Sequence, residues 1–213
     1  MNEFTPWHNE ALGKKVTEAL KKNGFEAEYC PSAAEAAEKI LALIPESASV
    51  GFGGSWTVKA LKIQEKLAGR GNTILDHGAP GLSNEERMET RKKQLTCDVF
   101  LSGTNAVTLD GKLVNTDGNG NRVAAMIFGP GKVIVVLGTN KIVKDLDAAE
   151  ERIQMVAAPV NNKRIGLPNP CTQTGLCMNC QTETRICNVT TIISKRPRST
   201  PFHVFVVGEE LGF

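Results

Sequence analysis

Apolar residues recur at helical spacing from the start of the chain. Trp7, Leu12, Val16 and Leu20 fall on one face, with Thr5 as cap and Pro6 as first helical residue, and Asn23-Gly24 stops the run. Phe25–Cys30 reads as a short strand. Ser32 and Glu35 have capping-box spacing before a second helix, with Ile40, Leu41 and Ile44 inward and Pro45 at its end. Ala48–Phe52 is a second strand, and Gly53-Gly54-Ser55 leads from it into a helix running to about Leu67. Thr73–His77 is a third strand. Ser83 and Glu86 form another capping box, opening a charged helix to Leu95, and Asp98–Ser102 is a fourth strand. This alternation predicts crossover units and a mainly parallel sheet covered on both faces, an α/β fold.

The rhythm then changes. Ala106–Leu109 and Lys112–Asn115 flank Asp110-Gly111, a pair suited to a type I′ hairpin turn. Asn121–Met126 reads as a short helix, Lys132–Leu137 as a buried strand and Asp145–Ala157 as a long helix. Past Pro168 cysteine, threonine and asparagine replace the apolar pattern, until Val189–Ser194 and His203–Val207 return to strand-like runs. With neither repeats nor a linker, residues 1–213 read as one domain, and 168–188 as a Cys-rich metal-binding loop on it.

Twenty-five basic residues against 23 acidic ones give a net charge of +2, which makes no case for nucleic acid or an anionic membrane. Lys163, Arg164, Arg185, Lys195, Arg196 and Arg198 concentrate late in the chain and read mainly as a solvated face. Met1–Phe4 is acidic and lacks the apolar core of a signal peptide, and runs such as Val133–Leu137 are too short to span a bilayer. A cytoplasmic location is therefore expected. There, clustered cysteines point to metal or redox chemistry rather than disulfides.

Four of the six cysteines, Cys171, Cys177, Cys180 and Cys187, have the spacing C-x5-C-x2-C-x6-C. The turn within Cys177–Cys180 aims two sulfurs at one centre, and the flanking pair completes four ligands. Four thiolates suit a cubane iron–sulfur cluster of 4Fe-4S type or tetrahedral zinc. Zinc ribbons more often use two C-x2-C knuckles, so one knuckle with two single cysteines favours iron–sulfur. Zinc is the alternative, and a loop without metal the third reading. A redox role also requires an iron–sulfur protein partner or a second centre. Cys30 and Cys97, at strand edges, read as small buried hydrophobes.

Two loops suggest ligand chemistry. Gly53, Gly54 and Ser55 follow a strand and open a helix, where the backbone can approach an anion or simply turn. Asn105 follows another strand end. The segment Asn115-Thr116-Asp117-Gly118-Asn119-Gly120-Asn121-Arg122 packs six polar side chains and two glycines into eight residues. It reads either as a turn or as a recognition loop for a hydroxy acid or phosphate. In the second reading Arg122 pairs with a carboxylate, Asp117 takes a hydroxyl proton, and Asn119 and Asn121 bind the ligand. His77 at a strand end is a general base or, more simply, a structural hydrogen-bonding group. A homo-oligomer is compatible with all of this.

Val50–Val58 (VGFGGSWTV), Gly103–Asp110 (GTNAVTLD), Gly111–Arg122 (GKLVNTDGNGNR) and Gly129–Asp145 (GPGKVIVVLGTNKIVKD) resemble the LUD, or LutC/YkgG-like, family over about residues 8–213. The resemblance implies a three-layer α/β/α Rossmann-like sandwich similar to the NagB/RpiA/CoA-transferase fold. It also implies a component of L-lactate oxidation to pyruvate that works beside iron–sulfur subunits, such as a subunit of a lactate-oxidising oxidoreductase. It identifies no catalytic residue, and Asn115–Arg122 holds no glutamate for CoA transfer. The Cys-rich tail resembles that of a single-domain subgroup. Two other functions fit the residues: a non-redox isomerase or transferase on a sugar phosphate or thioester with structural zinc, and an assembly subunit docking iron–sulfur partners.

Overall fold

The computed structural model describes residues 4–213; residues 1–3, part of the segment read above for a leader, lie outside them. The strands are β1 (Glu26–Cys30), β2 (Ser49–Phe52), β3 (Thr73–Leu75), β4 (Val99–Gly103), β5 (Ala106–Thr108), β6 (Leu113–Asp117), β7 (Lys132–Gly138), β8 (Ile142–Val143), β9 (Val189–Ile193) and β10 (Phe202–Val207). The helices are α1 (Phe4–Lys22), α2 (Ala33–Leu43), α3 (Trp56–Ala60), α4 (Ile63–Gly69), α5 (Asn84–Gln94), α6 (Asn121–Ile127), α7 (Leu146–Arg152), α8 (Ala158–Arg164) and α9 (Cys171–Thr174).

Six strands form one parallel sheet in the order β1-β10-β7-β4-β2-β3. Its central strands are buried on both sides, as their β-branched runs require. In β7, Ile134 and Val136 pack with Ile40, Val58 and Leu67 of α2, α3 and α4. Val133, Val135 and Leu137 point the other way, toward Val16, Leu20 and Met126 of α1 and α6. The chain is thus a three-layer α/β/α sandwich. A second sheet, β8-β5-β6-β9, has antiparallel β5/β6 and β6/β9 pairs and carries Val107, Leu113 and Ile193 into the α1-side core. Its other face packs Ala106 and Val114 on Ala149, Ile153 and Ala158. Among the described residues no helix is long and apolar enough to cross a membrane.

Several local expectations are corrected. Thr5 lies inside α1 rather than capping it, and Trp7 is 69% exposed because only the later turns of the helix reach the sheet. The third strand ends at Leu75. The helix after Ser55 is two helices, broken at Lys62 with φ +51°. Ser83 and Glu86 do form a full capping box, whereas Ser32 forms half of one because Glu35 pairs with Lys39. At the β5–β6 turn only Gly111 is left-handed, with φ +82°, so the turn is not type I′. A Cβ there would lie 2.7 Å from the Ala19 backbone carbon, and Asn23 Nδ2 donates to Asp110 O and Gly111 O, so contact with α1 shapes the turn.

The long helix continues past Ala157 to Arg164, through one widened turn at Ile153–Ala157. There Ala158 N bonds to Ile153 O, five residues back. The next donor in that register is Pro159, which has no N–H, so Gln154 O is left without a helical partner. It accepts from Cys177 N at 3.1 Å, which ties the cysteine loop to the helix.

Candidate functional site

β2 and β4 are neighbours whose chains leave in different directions, and the C-terminal ends of such strands are where open α/β sheets bind ligands. A cleft of about 540 Å3 lies there, lined from the ends of β2, β3 and β4, the turn after β7 and the loop after β6. Gly53, Gly54, Ser55, Asn105, Asp117, Asn119, Asn121 and Arg122 all line it, so residues far apart in sequence meet at one place. The glycines permit the close approach: a Cβ on Gly103 would sit 2.5 Å from Ser55 Oγ, and one on Gly53 would sit 2.6 Å from Ser102 Oγ. Ser55 caps α3, accepting from Val58 N at 3.3 Å.

Arg122 is committed to the protein. Its Nε donates to Asp117 Oδ1 at 2.8 Å, Nη1 to Asn115 Oδ1 at 2.6 Å and to Gly103 O, and Nη2 to Asn105 Oδ1 at 2.9 Å. Asp117 accepts from Arg122 on Oδ1 and from Val123 N on Oδ2 at 3.0 Å. Asn105 Oδ1 also accepts from Thr116 N. The geometry therefore gives Arg122 and Asp117 the work of holding the loop wall, because their hydrogen-bonding groups are taken before a ligand arrives.

Four other cations line the cleft: Arg87, Arg91, Arg164 and Lys141. Arg87 Nη1 donates to His77 O at 2.9 Å. Arg91 Nε is buried without a partner among the described residues. Arg164 and Lys59 lie over the Trp56 ring, at 5.8 and 4.8 Å from its centroid. Lys141 is 4% exposed, and its Nζ donates to Thr57 Oγ1 at 2.6 Å and Thr104 O at 3.1 Å. Burial, with Arg152 and Arg122 nearby, pushes its amine down to about 7. His77 Nδ1 contacts Gln94 Oε1 at 3.2 Å, and Gln94 Nε2 donates to Phe52 O and Leu75 O. Burial, and then Arg91, lowers the His77 pKa and favours its neutral form. Asp117, already paired, is the one acidic side chain in the lining among the described residues, against several cationic ones, so the side-chain field of the cleft favours an anion. Sequence reasoning missed Lys141, although a lysine between the end of an apolar strand and Ile142-Val143 was the available signal.

In the late loop, Cys171, Cys177, Cys180 and Cys187 line one recess of about 20 Å3 together with Arg185, Asn162 and Asn169. Asn169 is its anchor, donating to Asn162 Oδ1 and Thr184 O and accepting from Thr182 and Thr184 hydroxyls. Burial raises the Cys171 pKa, and the Cys180 and Cys177 sulfurs raise it further. Burial pushes Cys187 up to about 11, again helped by its cysteine neighbours. Cys180 is lowered by a hydrogen bond from Thr182. Asn179 N, at φ +43°, donates to Cys177 Sγ at 3.5 Å. Arg185 donates to Cys187 O at 3.1 Å and Asn179 Oδ1 at 2.9 Å.

Among the described residues, no three of the four sulfurs lie within 4.8 Å of one another. The trio that does meet that limit, Glu28, Cys30 and Glu35, is already bridged by Lys39. Cys30 and Cys97 are buried, as expected of small hydrophobes.

A family model described as the LUD domain matches residues 13–207. The crystal structure of a DUF162 family protein from Deinococcus radiodurans is similar at a TM-score of 0.54 and 17% identity, covering 93% of this chain and 98% of that one. The crystal structure of eIF2B delta from Chaetomium thermophilum aligns at a TM-score of 0.31 and 19% identity, over 51% of this chain and 47% of that one. No curated protein matches significantly.

Proposed function

Since the chain belongs to the LUD (lactate-utilisation) domain family, we propose that it is a redox-associated component in the oxidation of L-lactate or a related hydroxy acid. In this reading Cys171, Cys177, Cys180 and Cys187 hold a 4Fe-4S cluster. The observation that carries it is the convergence of four thiols on one recess whose lining, among the described residues, holds no histidine or acidic side chain. When bound, such a cluster supplies one-electron transfer. The residues of the chain tune that centre. Asn179 N donates to sulfur, and Arg185 sets a positive charge beside the anionic thiolates.

The cleft takes the anion. Its free cationic capacity lies with Arg91 rather than Arg122, so Arg91 receives the carboxylate. Ile186 lines both the cleft and the cysteine recess, which brings the two sites within one residue of each other. Cys177 and Cys187 also line a groove of about 830 Å3, the approach for an iron–sulfur partner.

Serine replacement of each of the four cysteines tests the reading in cells whose own copy is deleted and which grow on L-lactate. Loss of growth and of bound iron is expected for the quartet, with both kept by Cys97→Ser. Growth and iron unchanged in all four variants would overturn it.

A further inference from the structure

Lys141 ends at the cleft with an arrangement suited to an uncharged amine. Thr57 gives its hydroxyl proton to Leu211 O at 3.2 Å, so its oxygen accepts from Lys141 Nζ. Thr104 O accepts a second N–H. Two bonds use both protons of a neutral amine and leave its lone pair as the remaining tetrahedral direction. An ammonium would carry a third proton beside Arg122 and Arg152, with Asp117 already taken by Arg122 and Val123 N. No carboxylate pairs with Lys141 among the described residues, and a buried unpaired charge is costly.

A desolvated lysine amine attacks carbonyl carbon, and the surrounding guanidinium groups select for negative charge. We infer that Lys141 forms an imine with an anionic carbonyl compound, the chemistry shared by 2-oxo acids and phosphorylated ketoses. Nζ attacks the carbonyl carbon and the C–N bond forms. Both amine protons leave with the carbonyl oxygen as water, giving C=N with no change of oxidation state. The inference rests on the anion-cleft reading above and is separate from the cysteine loop.

The test is to incubate the whole protein at pH 7 with pyruvate or with dihydroxyacetone phosphate, reduce with cyanoborohydride, and map the modified peptide. The expected result is a single reduced adduct on Lys141, formed with one compound in preference to the other and suppressed by excess L-lactate. Lys141→Arg should lose it. Mapping in the unaltered protein localises the adduct even if the variant folds poorly. The absence of adduct on Lys141 with both compounds, or labelling no greater than at exposed Lys14 and Lys92, overturns the inference. If calorimetry still detects L-lactate binding that Arg91→Ala abolishes, the imine alone has failed; if no anion binds, the cleft reading fails with it.

Discussion

Replacing Lys141 by methionine should stabilise the protein at neutral pH. Methionine fills similar volume, and removes a group whose charged form is held at 4% exposure without a counter-ion. Its pKa falls from 10.5 to about 7 on folding. At about 1.4 kcal/mol per pH unit, this is a cost of about 5 kcal/mol below pH 7, where folded and unfolded chains are both protonated. Losing the hydrogen bonds to Thr57 and Thr104 offsets about 2 kcal/mol of the relief. The net gain near pH 7 is therefore on the order of 2 kcal/mol. Between pH 7 and 10.5 the unfolded chain binds a proton that the folded chain lacks, so native stability rises with pH by about 2 kcal/mol from pH 7 to 9. The methionine variant lacks this contribution, and its advantage should shrink by that amount. Urea unfolding of both proteins at pH 7, 8 and 9 measures the difference, with the cysteine titrations common to both cancelling. A variant less stable at pH 7, or a difference constant with pH, would show that Lys141 keeps its charge and has a partner.

Asp117→Asn leaves Arg122 buried against a neutral amide and should cost about 3 kcal/mol, read as a lower urea midpoint. Free exchange at this position with stability unchanged would restore Asp117 as a candidate base. Pro159→Ala supplies an N–H able to reach Gln154 O in competition with Cys177 N. We expect a helix stabilised locally but a cysteine loop that is cut faster by protease and loses iron sooner, with unchanged loop proteolysis as the contrary result.

The layered sheet was legible because β7 and its neighbours are buried on both faces, which demands the unbroken apolar runs that sequence periodicity detects. The cleft loops were legible as polar, glycine-rich strand ends. What the sequence did not disclose was which of their side chains are already used. Arg122 looks like a ligand-binding residue until Asp117, Asn115 and Asn105, brought together by β4 and β6, are seen to accept its protons. Lys141 was hidden for the opposite reason: its significance depends on Thr57 and Thr104, distant in the chain, and on its pairing with no carboxylate among the described residues. The continuation of the long helix through Pro159 was also obscure, since a proline there argues for a break unless the preceding turn widens. The cysteine spacing could be read at once, but not the helix carbonyl that docks it.

Iron and acid-labile sulfide, quantified per chain in protein prepared without air, bear most directly on the redox account. It predicts about four of each, brown colour, and loss of both in Cys180→Ser. Stoichiometric zinc in a colourless protein, or four thiols titrating freely with no metal bound, would contradict it.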